Sequence, residues 1–250
     1  MTMDGQRVAV VTGGMGGLGE AICARLFHSG YRVAATYSPG NQSAAEWVDV
    51  HKKEGLEIAA YMVDVSDYAS SEAAVRHIVS DMGRIDILVN NAGITRDATL
   101  KKMSVDDWRA VLKTNLDGVF NMTKPVLHGM LESGWGRIIN ISSVNGQKGA
   151  FGQVNYAAAK AGMHGFTKAL ALEVANKGIT VNTISPGYLR TKMVMKVPKD
   201  ILETKIIPQI PVGRLGEPGE VAGLVAYLCS DEAAFVTGAN IAINGGQHMQ

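Results

Sequence analysis

Residues 8–27 constrain the fold of this chain more than any other stretch. Val8-Ala9-Val10-Val11 is a short apolar, β-branched run with the length of a buried strand. It passes directly into Thr12-Gly13-Gly14-Met15-Gly16-Gly17-Leu18-Gly19. Glu20 to Phe27 then carries apolar residues at helical spacing. Glycines permit a tight turn and a close backbone approach, and the N–H groups at a helix N-terminus attract an anion. Strand, glycine-rich turn and helix in this order form the setting of a dinucleotide pyrophosphate site. The same glycines without flanking strand and helix would mark only a turn.

Strand and helix signals alternate along the rest of the chain. Residues 31–36, 58–62, 85–89, 137–142, 180–184 and 241–243 read as strands. Helices are expected over 44–54, 70–82, 104–130 and 156–176, the third opening on the capped start Ser104-Val105-Asp106-Asp107. Strict alternation implies an α/β fold, a Rossmann-type doubly wound parallel sheet with helices on both faces. A single domain over 1–250 suits the length, and 46% hydrophobic with 19% charged residues suits a packed core. A net charge of +1 gives no basis for a nucleic-acid surface. Val8–Val11 is too short for a secretory signal and no apolar run reaches membrane-spanning length, so a cytoplasmic location is expected, with no membrane partner. Cys23 and Cys229 lie in apolar helical patterns and read as packing residues, and no metal site is expected.

One segment breaks the rhythm. From 188 to 217 no long helix or strand pattern appears, and Pro198, Pro208 and Pro211 punctuate the chain. Connections of this length are commonly binding loops or lids, and Met193 and Met195 suit a surface that repacks around a ligand.

The chemistry is carried by Tyr156 and Lys160, four residues apart, with Ser143 thirteen residues before the tyrosine. One helical turn places the phenol and the ammonium on the same face. A cation there favours the phenolate, so the tyrosine pKa is expected to fall and the group to become a better acid. Ser143 follows an apolar run that delivers a hydroxyl to a sheet edge. In an open parallel sheet, ligands bind beyond the carboxyl ends of the strands, where all these positions fall.

With these pieces in place, the chain resembles the short-chain dehydrogenase/reductase family over essentially its whole length. The resemblance rests on Thr12-Gly13, Gly17-Leu18-Gly19, Asp64-Val65, Asn90-Asn91-Ala92-Gly93, Asn115, Ser143, Tyr156, Lys160 and Pro186-Gly187, all in family order and spacing. Within the family it most resembles bacterial acetoacetyl-CoA reductases of polyhydroxyalkanoate synthesis. The stretches Asn91 to Asp97, Ser142 to Gly149, Ser185 to Tyr188 and Asn244 to Met249 carry that likeness. Reductases acting on 3-oxoacyl groups of acyl carrier protein share much of it.

The resemblance implies an NADPH-dependent oxidoreductase, with NADH as the alternative cofactor. It would reduce acetoacetyl-CoA to (R)-3-hydroxybutyryl-CoA as a homotetramer. The catalytic residues would be Asn115, Ser143, Tyr156 and Lys160, with Asn115 serving a proton relay to Lys160. Gly13, Met15, Gly17, Leu18, Gly19, Tyr37, Ser38, Asp64, Val65, Asn91, Ala92, Gly93, Tyr156, Lys160, Pro186, Gly187 and Thr191 would hold the cofactor. Asp97, Gln147, Phe151, Gln153 and Tyr188 would meet an acyl-CoA substrate. Ala150 stands where several such reductases carry glutamine. From the residues themselves, Asp64 reads equally as a helix cap with Ser66, and Asn115 as a helix kink or a solvated side chain. The end of the second strand, Thr36-Tyr37-Ser38-Pro39-Gly40-Asn41, holds no acid to pair with a ribose diol, which favours a 2′-phosphate. It holds no arginine either. A non-catalytic dinucleotide sensor is the alternative of another class, and it would have no use for Ser143, Tyr156 and Lys160 together.

Overall fold

A computed structural model describes residues 5–192 and 194–249. Seven parallel strands form one sheet in the order β3-β2-β1-β4-β5-β6-β7. The strands are β1 (Val8–Val11), β2 (Arg32–Tyr37), β3 (Ile58–Met62), β4 (Ile85–Asn90), β5 (Gly136–Ile141), β6 (Ile179–Pro186) and β7 (Asn240–Ile243). The first helices are α1 (Gly17–His28), α2 (Ala44–Lys53), α3 (Tyr68–Met82), α4 (Val105–Leu112) and α5 (Gly118–Ser133). They are followed by α6 (Val144–Lys148), α7 (Val154–Val174), α8 (Lys199–Ile201) and α9 (Pro218–Cys229).

The central strands β1, β4, β5 and β6 are buried along their whole length because both faces are covered. Successive side chains point to opposite sides, so Ala9 and Val11 join one core with Ile22, Leu26, Val221 and Val225. Val8 and Val10 join the other with Ile78, Met122, Val126 and Leu170. Cys23 and Cys229 are buried in the first core, as packing residues. Connections run outward from β1 to β2 and β3, then return to β4 on the other side, so a crevice opens beyond β1 and β4.

Three expectations need correction. The helix expected over 104–130 is two helices, α4 and α5, joined by a π turn over Lys113–Asp117 that contains Asn115. Ser104 does cap the start, accepting from the Asp107 N–H at 3.0 Å. The cap of α3 is Asp67, whose carboxylate accepts from Ala69 and Ser70 N–H groups; Asp64 instead accepts from Ser66 N–H and hydroxyl, one turn earlier. The helix bearing Tyr156 begins two residues sooner, at Val154.

The irregular segment after β6 contains a 3₁₀ turn (Val194–Lys196), α8, a π turn (Leu202–Ile206) and a second 3₁₀ turn (Ile207–Gln209). Its neck is fixed by a parallel bridge between Leu189 and Gly216. Arg190 N donates to Gly216 O at 2.8 Å, and Gly216 N to Tyr188 O at 2.9 Å. Of the two methionines invoked there, Met195 is exposed and Met193 lies outside the described residues.

Candidate active site

The turn after β1 is built for close approach. Gly13 has φ +62°, and a Cβ there would lie 3.1 Å from the Ala92 backbone. Gly19 faces the Gly13 carbonyl, so no side chain fits between helix and turn. Thr12 Oγ1 accepts from the N–H groups of Asn91 (2.9 Å) and Ala92 (3.0 Å). Asn91 Nδ2 donates back to Thr12 O (2.9 Å) and Gly13 O (3.2 Å). The ends of β1 and β4 are therefore locked together, and Asn91 braces that junction. Sequence reasoning gave Thr12 no role of its own.

No side chain caps α1 at Gly16 among the described residues, which leaves the first N–H groups of this 12-residue helix facing the turn. An uncapped helix start beside glycines fits the pyrophosphate of a dinucleotide. Thr191 lies over Gly17, with its Cβ 3.6 Å from where a Gly17 Cβ would be. Asn41 Nδ2 contacts Met15 Sδ at 3.5 Å, which brings the glycine turn to the end of β2, where Tyr37 is half-buried and Ser38 exposed. Val65 is buried against Gly118, and its carbonyl accepts from Asn121 at 2.8 Å.

Beyond the strand ends lies a cleft of about 280 Å³. Leu18, Asn91, Gly93, Ser143, Gln153, Tyr156 and Lys160 line it together with Pro186, Gly187, Tyr188 and Thr191. Leu189, Val194 and Asn145 also line it, though the sequence did not single them out. A roomier groove of about 820 Å³ lies between α3 and α5 and holds none of these groups.

Tyr156, Lys160 and Ser143 converge there for local reasons. Ser143 caps α6 and accepts the Asn145 N–H at 3.1 Å, so its own proton is left to donate. Its neighbour Ser142 is turned inward, donating to Lys160 O at 2.8 Å and meeting His164 Nε2 at 2.9 Å. Gly146 packs α6 onto α7, where a Cβ would come within 2.9 Å of Lys160 Cβ. Lys160 is buried; its Nζ donates to Ile141 O at 2.7 Å and lies 5.6 Å from the Tyr156 ring centre.

Burial decides both titrations. Lys160 has no carboxylate partner among the described residues, and desolvation pulls its pKa down to about 7. Tyr156 is pushed above its ordinary value, first by burial, with the Ser143 hydroxyl pulling it down and the Asp97 carboxylate pushing it up. The expectation that the tyrosine pKa falls beside Lys160 is corrected: desolvation wins and the phenol is pushed up.

Asn115 is buried, not solvated. Its Oδ1 accepts from Ile94 N (2.8 Å) and its Nδ2 donates to Ile94 O (2.9 Å). A Cβ on Gly93 would meet both Asn115 Oδ1 (3.3 Å) and Lys160 Nζ (3.5 Å). Both amide atoms are thus engaged, and the π turn holds this helix step beside Lys160.

The substrate candidates divide. Gln153, in one wall with Asn145, accepts from Asn145 at 2.9 Å and donates at 2.8 Å to Asp97, which lies outside the lining. Tyr188 lines the opposite wall. Phe151 is 95% exposed and lies outside the cleft lining, as does Gln147, whose Oε1 is buried without a partner.

The profile of the short chain dehydrogenase family matches residues 7–202. An acetoacetyl-CoA reductase of Cupriavidus necator is 53% identical over 244 residues, covering 98% of this chain and 99% of the relative. Another from Shinella zoogloeoides is 56% identical, covering 96% and 98%. A 3-oxoacyl-acyl-carrier-protein reductase of Pseudomonas aeruginosa is 46% identical over the full length of both chains. A family match over most of the chain and relatives this similar over nearly its whole length place it: the chain belongs to the short chain dehydrogenase family.

Proposed function

We propose that this protein reduces acetoacetyl-CoA to (R)-3-hydroxybutyryl-CoA with NADPH, as a step of polyhydroxyalkanoate synthesis. The observation that carries the reading is the convergence of Ser143, Tyr156 and Lys160 on one cleft beside the uncapped start of α1. The names and coverage of the relatives support the substrate. The cofactor is a nicotinamide dinucleotide; preference for the 2′-phosphate rests on the lack of an acid at Tyr37 and Ser38.

When bound, the dinucleotide supplies a hydride to the ketone carbon. The protein does the rest. Ser143 donates to the ketone oxygen, since its acceptor side is already engaged by Asn145 N–H. Tyr156 gives that oxygen its proton. Burial keeps the phenol protonated at neutral pH, the form reduction needs. Lys160, one turn on, stabilises the phenolate left behind and would hold ribose hydroxyls. Asn115, through the π turn, keeps the space beside Lys160 open for returning the proton. Asp97, Gln153 and Tyr188 shape the acyl site, with Gln147 and Phe151 at its outer edge. The glycine turn (Gly13, Met15, Gly17, Leu18, Gly19), with Asp64, Val65, Asn91, Ala92, Gly93, Pro186, Gly187 and Thr191, forms the cofactor groove. The chain acts as one catalytic domain with a lid near 188–217, as a homotetramer in the cytoplasm.

A second reading, reduction of 3-oxoacyl groups on acyl carrier protein, is favoured by the relative of that name at 46% identity. Following nicotinamide absorbance with acetoacetyl-CoA and with an acyl-carrier-protein substrate, each with NADPH and NADH, tests both. A higher kcat/KM for the carrier-protein substrate would replace the first reading by the second. No oxidation with either would sink both.

A further inference from the structure

The C-terminal stretch after β7 grips both ends of the irregular segment at once. At the start of that segment, Gly187 N donates to Ile243 O at 3.0 Å, and Tyr188 N donates to Gln247 Oε1 at 3.1 Å. Gly187 is packed so tightly on the Gln247 amide and on Asn244 that no side chain fits. At the far end, Val212 N donates to Gly245 O at 3.1 Å. Gly245 and Gly246 have φ +62° and +85°, and a Cβ on either would lie within 3.0 Å of Ile210 or Pro211. The stretch is itself knotted: Asn244 Nδ2 donates to His248 O (2.9 Å), and Asn244 Oδ1 accepts from Gly246 N (3.0 Å).

Gln247 is the side chain in this knot that touches the cleft wall. The Tyr188 N–H needs an acceptor, which fixes the amide with Oε1 toward it and Nε2 away. Nε2 is buried with no partner among the described residues. Burial of an unpaired donor is unfavourable and persists only where surrounding structure holds it. Gly187 and Tyr188 line the cleft, and Gly216, paired to Tyr188 across the neck, closes the same segment.

We infer that Gln247 is a positioning residue for the acyl site: through Tyr188 it sets the height of the cleft wall and the hinge of the lid. It touches no reacting atom. It acts by holding the Tyr188 backbone while Gly245 and Gly246 hold the lid's other end. The role rests on the acyl-CoA reading for its kinetic consequence, but not for its mechanical one.

Two variants separate the acceptor from the packing. Gln247→Met keeps the length and removes the acceptor. Gln247→Glu keeps the shape and an acceptor for the Tyr188 N–H. In the full-length protein, Gln247→Met should raise KM for acetoacetyl-CoA about tenfold, the effect of one lost hydrogen bond to a buried N–H. Its kcat and dinucleotide affinity should stay near wild type, its melting temperature should fall by about 3 °C for the unpaired N–H, and Gln247→Glu should restore KM. Amide exchange over 194–209 should be faster in Gln247→Met than in wild type. An unchanged KM with unchanged exchange overturns the inference. So does equal failure of both variants, or a parallel loss of dinucleotide affinity and melting temperature, which would make Gln247 a plain packing residue. If wild type turns over no acetoacetyl-CoA, the substrate reading fails while the exchange measurement still decides the hinge.

Discussion

The floor of the cleft and the segment above it are built by opposite rules. In the floor Lys160 and Asn115 are each held from two sides. Lys160 is tied at its head to Ile141 O and at its carbonyl to the Ser142 hydroxyl, and Asn115 is pinned through both amide atoms to Ile94. Above it, the hydrogen bonds described for residues 194–209 stay within 191–210. Leu202 and Ile210 are its buried anchors, while Met195 is half exposed. The contrast teaches where precision is needed. Proton and hydride transfer tolerate little error in position, so those groups sit on strand ends and a long helix. Substrate exchange needs an opening, and the lid proposed for this segment is tied at its neck by the Leu189–Gly216 bridge.

The strongest attack on the rigid half is Tyr156→Phe, which removes the acid and keeps the ring. Turnover should fall at least about a hundredfold, with dinucleotide binding little changed. Near-normal turnover in a purified, folded variant would strip Tyr156 of its role. The contrast itself can be read by hydrogen exchange: amides over 194–209 should exchange about a hundredfold faster than those of α7, and slow when oxidised dinucleotide and acyl-CoA are added together. Exchange over 194–209 as slow as in α7 would mean a fixed wall. A smaller effect is expected at the cofactor edge. Ser38→Asp should weaken NADPH use by about tenfold while sparing NADH, because a carboxylate repels a 2′-phosphate. Equal loss of both would mean that the end of β2 does not face the ribose.

A pH series sharpens the electrostatics of the floor. Lys160 has a folded pKa of about 7 against 10.5 unfolded. Between those values the unfolded chain binds one more proton, so this residue makes stability rise with pH, by about 1.4 kcal/mol per unit. Below 7 it is protonated in both states and the unfavourable burial of its charge is fully expressed. Denaturant titration of wild type against Lys160→Met should therefore show the gap between them narrowing from pH 7 to pH 10. A gap independent of pH would mean that the lysine stays charged in the fold.

The sequence alone determined the α/β class, the parallel sheet and the glycine turn, because these follow from local periodicity and from residues adjacent in the chain. Val8–Val11, apolar at every position, could only be a strand covered on both faces. Tyr156 and Lys160 were legible as a pair because one helical turn fixes their relation without any other part of the protein. What tertiary structure decided was everything set by distant neighbours. A kink at Asn115 was one of two sequence readings; that its amide is buried and bonded to Ile94, and not solvated, only the fold shows. Both Ser142 and Ser143 line the cleft, but the Ser142 hydroxyl is engaged by Lys160 O and His164, a reason for Ser143 as the working hydroxyl that only the fold supplies. The tyrosine pKa moved up instead of down because desolvation depends on how many elements close over a group, and spacing along a helix says nothing of that. Gln247 carried no signal by itself: 59 residues separate it from Tyr188, and only the fold makes them partners.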